Sequence, residues 1–440
     1  MGNRRRHDMV RRIPKQRIYV CSFGCSLNMA DGEVVSGCLD QAGHELVDQP
    51  RDAEILVYLT CAVKEPTENR VINLMGRTHP GKKLIVAGCL PLINPERVRR
   101  EISYDAMVGP TPGERILEFL ERVVEGETFE ELNMAPLPRC DLPKLKRNRV
   151  VEIIPISYGC LNSCSYCAVK LARGELRSHP VEDIVSQVRK AVGEGSKEIW
   201  LTTQDTASYG RDLGCDLSHL IDAVSGVPET FWIRVGMMNP TRVIEIRRDL
   251  VRAYRSEKIY KFLHLPVQSG SDAVLSSMRR GYLAADFYRI VREFRKVFPW
   301  LTLSTDVIVG FPGETQEDFE ETLKLVREVR PDIVNISKYA SRPGTEASAM
   351  KRVDTKTVKE RSRRLTEEVK RIALEKNQSW KGWEGMVLVD EVGPRGGYVG
   401  RNFAYRPVVV DTDQELLGKF IRLKVVEAET TYLKGEISPL

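Results

Sequence analysis

The sequence predicts a multidomain α/β protein: a small parallel α/β domain, then a partial (β/α)6 barrel, then a five-stranded β-barrel. Three observations carry this expectation. Short apolar runs alternate with helical stretches from Arg17 to about Glu125. A second series follows, with six strand candidates separated by helical segments. From about Asn377 the pattern changes to Val-rich alternating runs broken by glycine-rich turns.

The elements follow in order. Residues 1–16 form a basic tail. No apolar stretch follows it, so it is not a secretory signal, and Arg6 breaks the myristoylation pattern. Residues 17–125 carry the first domain. Its strands are RIYV, EILVYL, KKLIVA and YDAMV, with helices over 31–42 and 116–124 between or after them. Residues 126–145 are proline-rich and charged, which predicts a linker. The barrel spans 146–376, with strands VEIIPIS, EIWLTTQ, FWIRVGM, KFLHLPV, LTLSTDVIVG and DIVNISKY, and ends in a charged helix over 355–375. Residues 377–440 form the β module, from GMVLVDEV, RPVVVDTD, KFIRLKVVEA and YLKGEI.

Composition narrows the function class. The chain has 440 residues, 42% hydrophobic and 29% charged, with no run of 18 or more apolar residues. That predicts a globular protein without a membrane span. Ten cysteines in a chain of this length, without an export signal, predict reduced thiols in the cytoplasm, some of them on metal. The net charge of +6 is uneven. Basic residues concentrate in 1–17, 138–149 and 351–376, which leaves an acidic remainder. That distribution suits a polyanionic partner held along one surface, although any one segment alone reads first as a solvated face.

The cysteines carry the chemistry. Cys160, Cys164 and Cys167 are spaced C-x3-C-x2-C on the loop after strand VEIIPIS. Structural zinc takes four protein ligands, and no fourth Cys or His lies close by in sequence. A 4Fe–4S cubane accepts one thiolate per iron, so three cysteines leave one iron open for another ligand. Three packing cysteines are the bland alternative. In the first domain Cys25 lies just after strand RIYV, and Cys61 and Cys89 follow strands EILVYL and KKLIVA. Parallel strands bring such positions to one sheet edge, where open α/β sheets bind ligands, so a second three-cysteine site is expected there. Taken singly, each reads rather as a buried core cysteine. Cys21, Cys38, Cys140 and Cys215 lack this placement and read as packing residues.

CLNSCSYC resembles the radical S-adenosylmethionine (SAM) signature. GCSLNMADGE, LTCAVKEPTE and VAGCLP are similar to the N-terminal domain of the methylthiotransferases. EIWLTTQDTASYGRD, HLPVQSGSDAVLSSMRRGY, STDVIVGFPGET and YASRPGT resemble that family's radical SAM core, and the closing β module is similar to its RNA-binding TRAM barrel. VKEPTE, DLPK with its basic run, ARGELRSHPVEDIV and EIWLTTQDTASYGRDLG point to the archaeal and eukaryotic threonylcarbamoyladenosine tRNA methylthiotransferases. The chain ends at Ser438-Pro439-Leu440 without a hydrophobic anchor, as in the archaeal form. Leu59 stands where the family commonly has Asn before the Thr-Cys pair.

The resemblance implies two 4Fe–4S clusters, one on Cys160, Cys164 and Cys167 and one on Cys25, Cys61 and Cys89. The open iron of the first binds SAM, whose reductive cleavage yields a 5′-deoxyadenosyl radical. The second carries or supplies sulfur, and a second SAM per turnover supplies the methyl group. The implied product is 2-methylthio-N6-threonylcarbamoyladenosine beside the anticodon of tRNA. The implied partners are tRNA, an electron donor such as ferredoxin or flavodoxin, and a sulfide source. A cytoplasmic monomer is expected. No catalytic side chain is expected beyond the clusters.

Tyr166 is expected to pack over the adenine of SAM. Glu175, Gln204, Asp205, His264, Gln268 and Asp306 lie at predicted strand ends, and some of them are expected to bind SAM or the modified adenine, the alternative being satisfied polar residues at a barrel mouth. Gly310, Pro312 and Gly313 read as a tight loop near a ligand. In PRGGYVGRNFAYRP, Arg395, Arg401 and Arg406 interleave with Tyr398, Phe403 and Tyr405. Those arginines are expected to meet RNA, with some aromatics stacking on bases and others filling the barrel. Two rival readings stand beside this one: methylthiolation of isopentenyladenosine in tRNA or of a ribosomal-protein aspartate, and a non-catalytic RNA-binding iron–sulfur sensor.

Overall fold

The computed structural model describes residues 13–77, 81–133 and 137–438; most of the expected basic tail, residues 1–12, lies outside them. The chain divides into two compact units. One takes the described residues through Arg147, together with Ala168–Gly174 and Arg342–Gly344. The other takes Asn148–Cys167, Glu175–Ser341 and the rest of the described chain from Thr345.

The first unit is built on six parallel strands: β1 (Arg17–Ser22), β2 (Glu45–Leu46), β3 (Ile55–Thr60), β4 (Lys83–Gly88), β5 (Ala106–Val108) and β6 (Phe129–Glu131). Their order is β2-β1-β3-β4-β5-β6. Every residue of β3 is buried, as expected of a central strand covered on both faces. Its alternate side chains divide between two cores. Ile55, Val57 and Leu59 pack with Val35 and Leu39 of helix Ser26–Gln41 and with Phe119 and Leu120 of helix Ile116–Val124. Leu56 and Tyr58 pack with Val71, Ile72 and Met75 of helix Glu65–Gly76.

Strand β6 lies inside the stretch expected to be linker. Phe129 holds it: its ring lies 5.8 Å from that of Phe119, and the Arg122 guanidinium sits 3.5 Å above it. Further on, the stretch lies against helix Ser26–Gln41. Leu145 N donates to Glu33 O at 2.9 Å. A side chain at Gly37 would come within 2.4 Å of the Pro143 carbonyl oxygen, which accounts for glycine in mid-helix. Residues 168–174 and 342–344, expected within the barrel domain, also belong to this unit. Ala168 and Ala172 are buried beside Leu90 and Ile93. Arg342 pairs with the buried Glu68, which also accepts from Arg97 (2.9 Å) and Asn94 (3.0 Å).

The second unit contains β7 (Val151–Pro155), a two-stranded ribbon of β8 (Ser157–Tyr158) and β9 (Arg177–Ser178), then β10 (Glu198–Thr202), β11 (Trp232–Val235), β12 (Phe262–His264), β13 (Thr302–Val309) and β14 (Ile333–Lys338). Two parallel triplets, β11-β10-β7 and β12-β13-β14, are joined through Ile233, which donates to Lys258 O (2.7 Å) and accepts from Tyr260 N (3.0 Å). The result is an arc of six parallel strands, the expected partial (β/α)6 barrel. Helices 181–193, 217–225, 240–253, 284–297 and 316–329 bury their apolar faces on it.

Strands β15 (Glu384–Val392), β16 (Tyr398–Asn402), β17 (Pro407–Val410), β18 (Phe420–Ala428) and β19 (Leu433–Ile437) close into the expected five-stranded barrel. This module belongs to the same compact unit as the arc, because it seals the amino ends of the arc's strands. Tyr405 packs on Tyr260 and Phe262 at 4.8 and 5.0 Å between ring centres. Trp232, the first residue of β11, meets Phe420 at 5.1 Å. Asp332, just before β14, accepts from Leu303 N (2.9 Å), Lys376 (3.0 Å) and Arg406.

Glu198, the first residue of β10, is fully buried here and accepts from Tyr260 Oη at 2.8 Å and from Trp200. Burial, followed by the nearby Asp390 carboxylate, raises its pKa from 4.5 to about 7, against the opposing charge of Arg401. The folded state therefore holds this proton after the unfolded chain has released it. Its contribution makes stability fall as pH rises from about 5 to about 7. Glu198→Gln is expected to flatten that slope in pH-dependent urea melts; an unchanged slope would refute the assignment.

Among the described residues no helix is long and apolar enough to cross a membrane.

Candidate functional site

Two candidate sites emerge, each around three cysteines. In the second unit, Gly159 turns the chain with φ +81° after β8 and leads into Cys160. Asn162 steadies this loop. Its backbone N and Nδ2 donate to Cys160 Sγ at 3.4 and 3.3 Å, and Nδ2 also donates to Asp205 Oδ2 at 3.0 Å. Asp205, just past β10, is only 2% exposed; its carboxylate also accepts from Asn239 N (2.8 Å) and Ser208 Oγ (2.7 Å). Burial pushes the Cys160 thiol up, with the Asp205 charge adding to it.

The other end of the loop is tied down as well. Ser165 donates from Oγ to Ser277 O (2.8 Å) and from N to Met278 O (3.1 Å). Arg280, buried, donates from Nη1 to Cys164 Sγ at 3.3 Å and from Nη2 to Asn239 Oδ1 and Pro266 O, both at 3.3 Å. The guanidinium thus carries positive charge to a thiol that would be anionic on a metal. Tyr166 is half-buried, edge-on to Phe311 at 6.3 Å, and packs in a cluster with Val274, Met278 and Ala347.

The other expected barrel residues fall into distinct settings. His264 Nε2 meets Asp306 Oδ2 at 3.1 Å, and Asn335 Nδ2 donates to Asp306 Oδ1 at 2.7 Å. That makes a polar row across β12, β13 and β14. Gln268 has φ +69° and fastens the loop after β12 to β13: its N donates to Asp306 O at 2.8 Å, and its carbonyl accepts from Ile308 N at 2.9 Å. Gln204 is half-buried, with Oε1 3.5 Å from Thr203 Oγ1. Glu175 is exposed. Gly310 and Gly313 both have positive φ, as a tight loop requires, and Gly310 N donates to Glu314 Oε2 at 2.8 Å.

In the first unit, Cys25, Cys61 and Cys89 stand at the carboxyl ends of β1, β3 and β4, which are neighbours in the sheet. Cys25 is exposed, whereas Cys61 and Cys89 are buried. Burial pushes the Cys61 thiol up to about 12, opposed by a backbone N–H at Val63 and by Arg173 and augmented by Cys89 and Cys25. The three sulfurs are therefore close enough to influence one another. The backbone crowds here: a Cβ at Gly24 (φ +99°) would lie 2.6 Å from Cys61 Cβ, and one at Gly88 (φ +100°) 2.3 Å from Thr60 O. Asn28 Nδ2 donates to the carbonyls of Phe23 (2.7 Å) and Leu59 (2.9 Å), tying the Cys25 turn to the end of β3.

Among the described residues no group of three or more His, Cys, Asp or Glu is gathered closely enough to hold a single metal ion. A cubane gives each thiolate its own iron, so its cysteines stand wider apart than the ligands of one ion. Three thiols at neighbouring strand ends, or on one short loop, with the buried Arg173 Nε 3.4 Å from Cys89 Sγ and the buried Arg280 Nη1 3.3 Å from Cys164 Sγ, fit such a cluster.

The RNA-facing arginines need correction. Arg406 is buried in its ion pair with Asp332 and donates to Asn377 Oδ1 at 2.8 Å. Arg401 pairs with Asp390 at 3.1 Å, with its guanidinium over the Tyr405 ring at 5.1 Å. Arg406 holds the module to the arc, Arg401 is paired within the module, and a free surface role fits neither. Of the aromatics, Tyr405 packs on the arc, Phe403 packs inside the module with Trp380 and Trp383, and Tyr398 joins that core in part. Arg395 alone of the three arginines is exposed.

Arg173, Arg280, Asn162 and Asn335 escaped the reading of the sequence. Arg280 stands in the quoted block HLPVQSGSDAVLSSMRRGY, and Arg173 in ARGELRSHPVEDIV. Nothing local separates such arginines from ordinary surface charge.

Comparison with known proteins gives a consistent picture. The chain matches the models of the Radical SAM superfamily over residues 154–326, the uncharacterized protein family UPF0004 over 17–109 and the TRAM domain over 381–438. It is 42% identical to a probable threonylcarbamoyladenosine tRNA methylthiotransferase of Pyrococcus abyssi, over 96% of this chain and 99% of that one. A threonylcarbamoyladenosine tRNA methylthiotransferase of Homo sapiens is 34% identical over 96% of this chain and 74% of its own. In fold, the chain is similar to TsrM of Kitasatospora setae, a radical S-adenosylmethionine methyltransferase with cobalamin and a [4Fe-4S] cluster bound. The TM-score is 0.56 at 13% identity, covering 76% of this chain and 74% of that one.

Proposed function

Because the chain belongs to the threonylcarbamoyladenosine tRNA methylthiotransferase family and is a radical SAM enzyme of that class, we propose that it converts N6-threonylcarbamoyladenosine beside the anticodon of tRNA to its 2-methylthio derivative. The observation that carries this reading is the near full-length identity to relatives of that name, 42% over 96% of this chain and 99% of the Pyrococcus abyssi protein.

In this reading Cys160, Cys164 and Cys167 hold one 4Fe–4S cluster and Cys25, Cys61 and Cys89 a second. When bound, the first supplies the electron that cleaves SAM, and the second carries or delivers the sulfur. The protein's own part is to hold, orient and exclude water. Asn162 and Asp205 fix the Cys160 end of the loop, and Arg280 and Ser165 fix the Cys164 end. Tyr166 offers a ring to the adenine of SAM. His264, fixed by Asp306 and Asn335, faces the nucleoside or SAM from inside the arc. Asp205 and the Gln268 backbone are engaged in scaffold contacts and act as supports; Gln204 and Glu175 remain candidates for ligand contact. A second SAM gives the methyl group, with ferredoxin or flavodoxin as electron donor and a separate sulfide source. The exposed face of the closing barrel, with Arg395, meets tRNA, and the enzyme works as a cytoplasmic monomer.

Mass spectrometry of digested tRNA from a strain lacking this chain tests the reading. The expected result is loss of 2-methylthio-N6-threonylcarbamoyladenosine with accumulation of its unthiolated precursor. Persistence of the methylthio nucleoside would refute it.

A further inference from the structure

Arg173 is an unusual residue for its place. It is six positions past Cys167, yet it is buried in the first unit, 2% exposed, at the Cys25–Cys61–Cys89 edge. Its guanidinium is divided three ways. Nε donates to Cys89 Sγ at 3.4 Å, Nη1 pairs with Asp31 Oδ2 at 2.7 Å, and Nη2 donates to Asn28 Oδ1 at 3.0 Å. Asp31 is itself buried, on the helix that Cys25 caps.

A buried guanidinium is costly to place. A purely structural ion pair with Asp31 would satisfy it without presenting Nε to a sulfur. The five N–H groups of arginine form a fixed fork. With Asp31 and Asn28 holding the two terminal nitrogens, the direction of Nε is set, and it points at Cys89. Asn28 in turn relates two strand ends to each other, since it holds the carbonyls of Phe23 and Leu59 through its own amide nitrogen.

We infer that Arg173 is a positioning residue for the second cluster, orienting Cys89 and tuning the cluster's reduction potential through a hydrogen bond to its thiolate. This rests on the proposed cluster at Cys25, Cys61 and Cys89. Hydrogen bonds to cluster sulfurs offset the negative charge gained on reduction, so they raise the potential. Arg173 accordingly makes the second cluster easier to reduce and harder to strip. Asp31 orients the fork, and Asn28 ties its position to the sheet edge.

The test uses full-length protein carrying Cys160→Ala, Cys164→Ala and Cys167→Ala, so that only the second cluster remains. Into it are placed Arg173→Lys, which keeps the charge against Asp31 but loses the fork, and the neutral pair Arg173→Gln with Asp31→Asn. The readouts are iron content, rate of iron loss to a chelator, midpoint potential by redox titration with electron paramagnetic resonance, and thermal melting of the apoprotein. Both variants are expected to lose iron at least about 10-fold faster, the order seen when outer partners of metal ligands are removed. The midpoint is expected to move to lower potential in both. Unchanged midpoint and iron loss, with iron still bound, would overturn the inference and leave the cluster reading standing, even if melting temperature fell. Absence of iron from the parent triple variant would remove the second cluster and this inference with it.

Discussion

Replacing Cys160, Cys164 and Cys167 together by Ala is expected to abolish methylthiolation and to halve the iron of anaerobically reconstituted protein, from about eight atoms per chain to about four. The fold should survive. The loop is anchored by Asn162 on Asp205 and by Ser165 on Ser277, none of which depends on a thiol. Melting of the apoprotein should therefore move little, while iron content and product both fall. Iron is measured colorimetrically, and product by incubating tRNA that already carries N6-threonylcarbamoyladenosine. Retention of all eight irons would show that these thiols hold no cluster. Residual product at the normal rate would remove the radical step from this loop.

The second large effect concerns stability. Asp332→Ala is expected to destabilise the second unit by about 3–5 kcal/mol, the usual cost of removing one partner from a buried ionic cluster. The carboxylate accepts from Leu303 N and faces Arg406, Lys376 and, at 3.9 Å, Arg295. Its removal leaves several cations together with little water. Burial already lowers the pKa of Lys376, against the pull of Asp332. Urea denaturation followed by tryptophan fluorescence reads the change, since Trp380 lies 5.9 Å from the Arg406 guanidinium. Arg406→Met should also lower stability, and it should leave the salt dependence of tRNA binding unchanged. A reduced salt slope with stability intact would return Arg406 to the RNA surface.

These two results bear on what was legible in the sequence. The strand periodicities and the positions of six cysteines relative to them were readable, because Cys25, Cys61 and Cys89 each lie shortly after an apolar run and Cys160, Cys164 and Cys167 lie on the loop after another. Parallel topology then brings Cys25, Cys61 and Cys89 to one edge without further information. What holds those thiols was not readable. Arg173 and Arg280 are ordinary charged residues in polar stretches, and only the tertiary fold shows that they are buried. The same limit misdirected Arg401 and Arg406: arginines alternating with aromatics describe an RNA-binding strand and a buried seam between a barrel and its cap equally well. Strand β6 was missed because three residues are too few to show alternation, and Phe129 alone carries its packing.

The make-up of the first unit has a consequence for synthesis. Its sheet is complete by Glu131, but Arg173 and Arg342, the partners of the buried Asp31 and Glu68, lie further along the chain. At about 5–20 residues per second, some ten to forty seconds separate emergence of Arg147 from that of Arg342. Glu68 lacks Arg342 over that whole interval, whereas Asp31 and the Cys25–Cys61–Cys89 edge lack Arg173 only for about the first one to five seconds of it. Assembly of this unit is thereby ordered in time. The ribosome delivers the strands first and the charges that complete them later, so a metal-loading machinery acting on the finished edge would have to work after Arg173 has emerged.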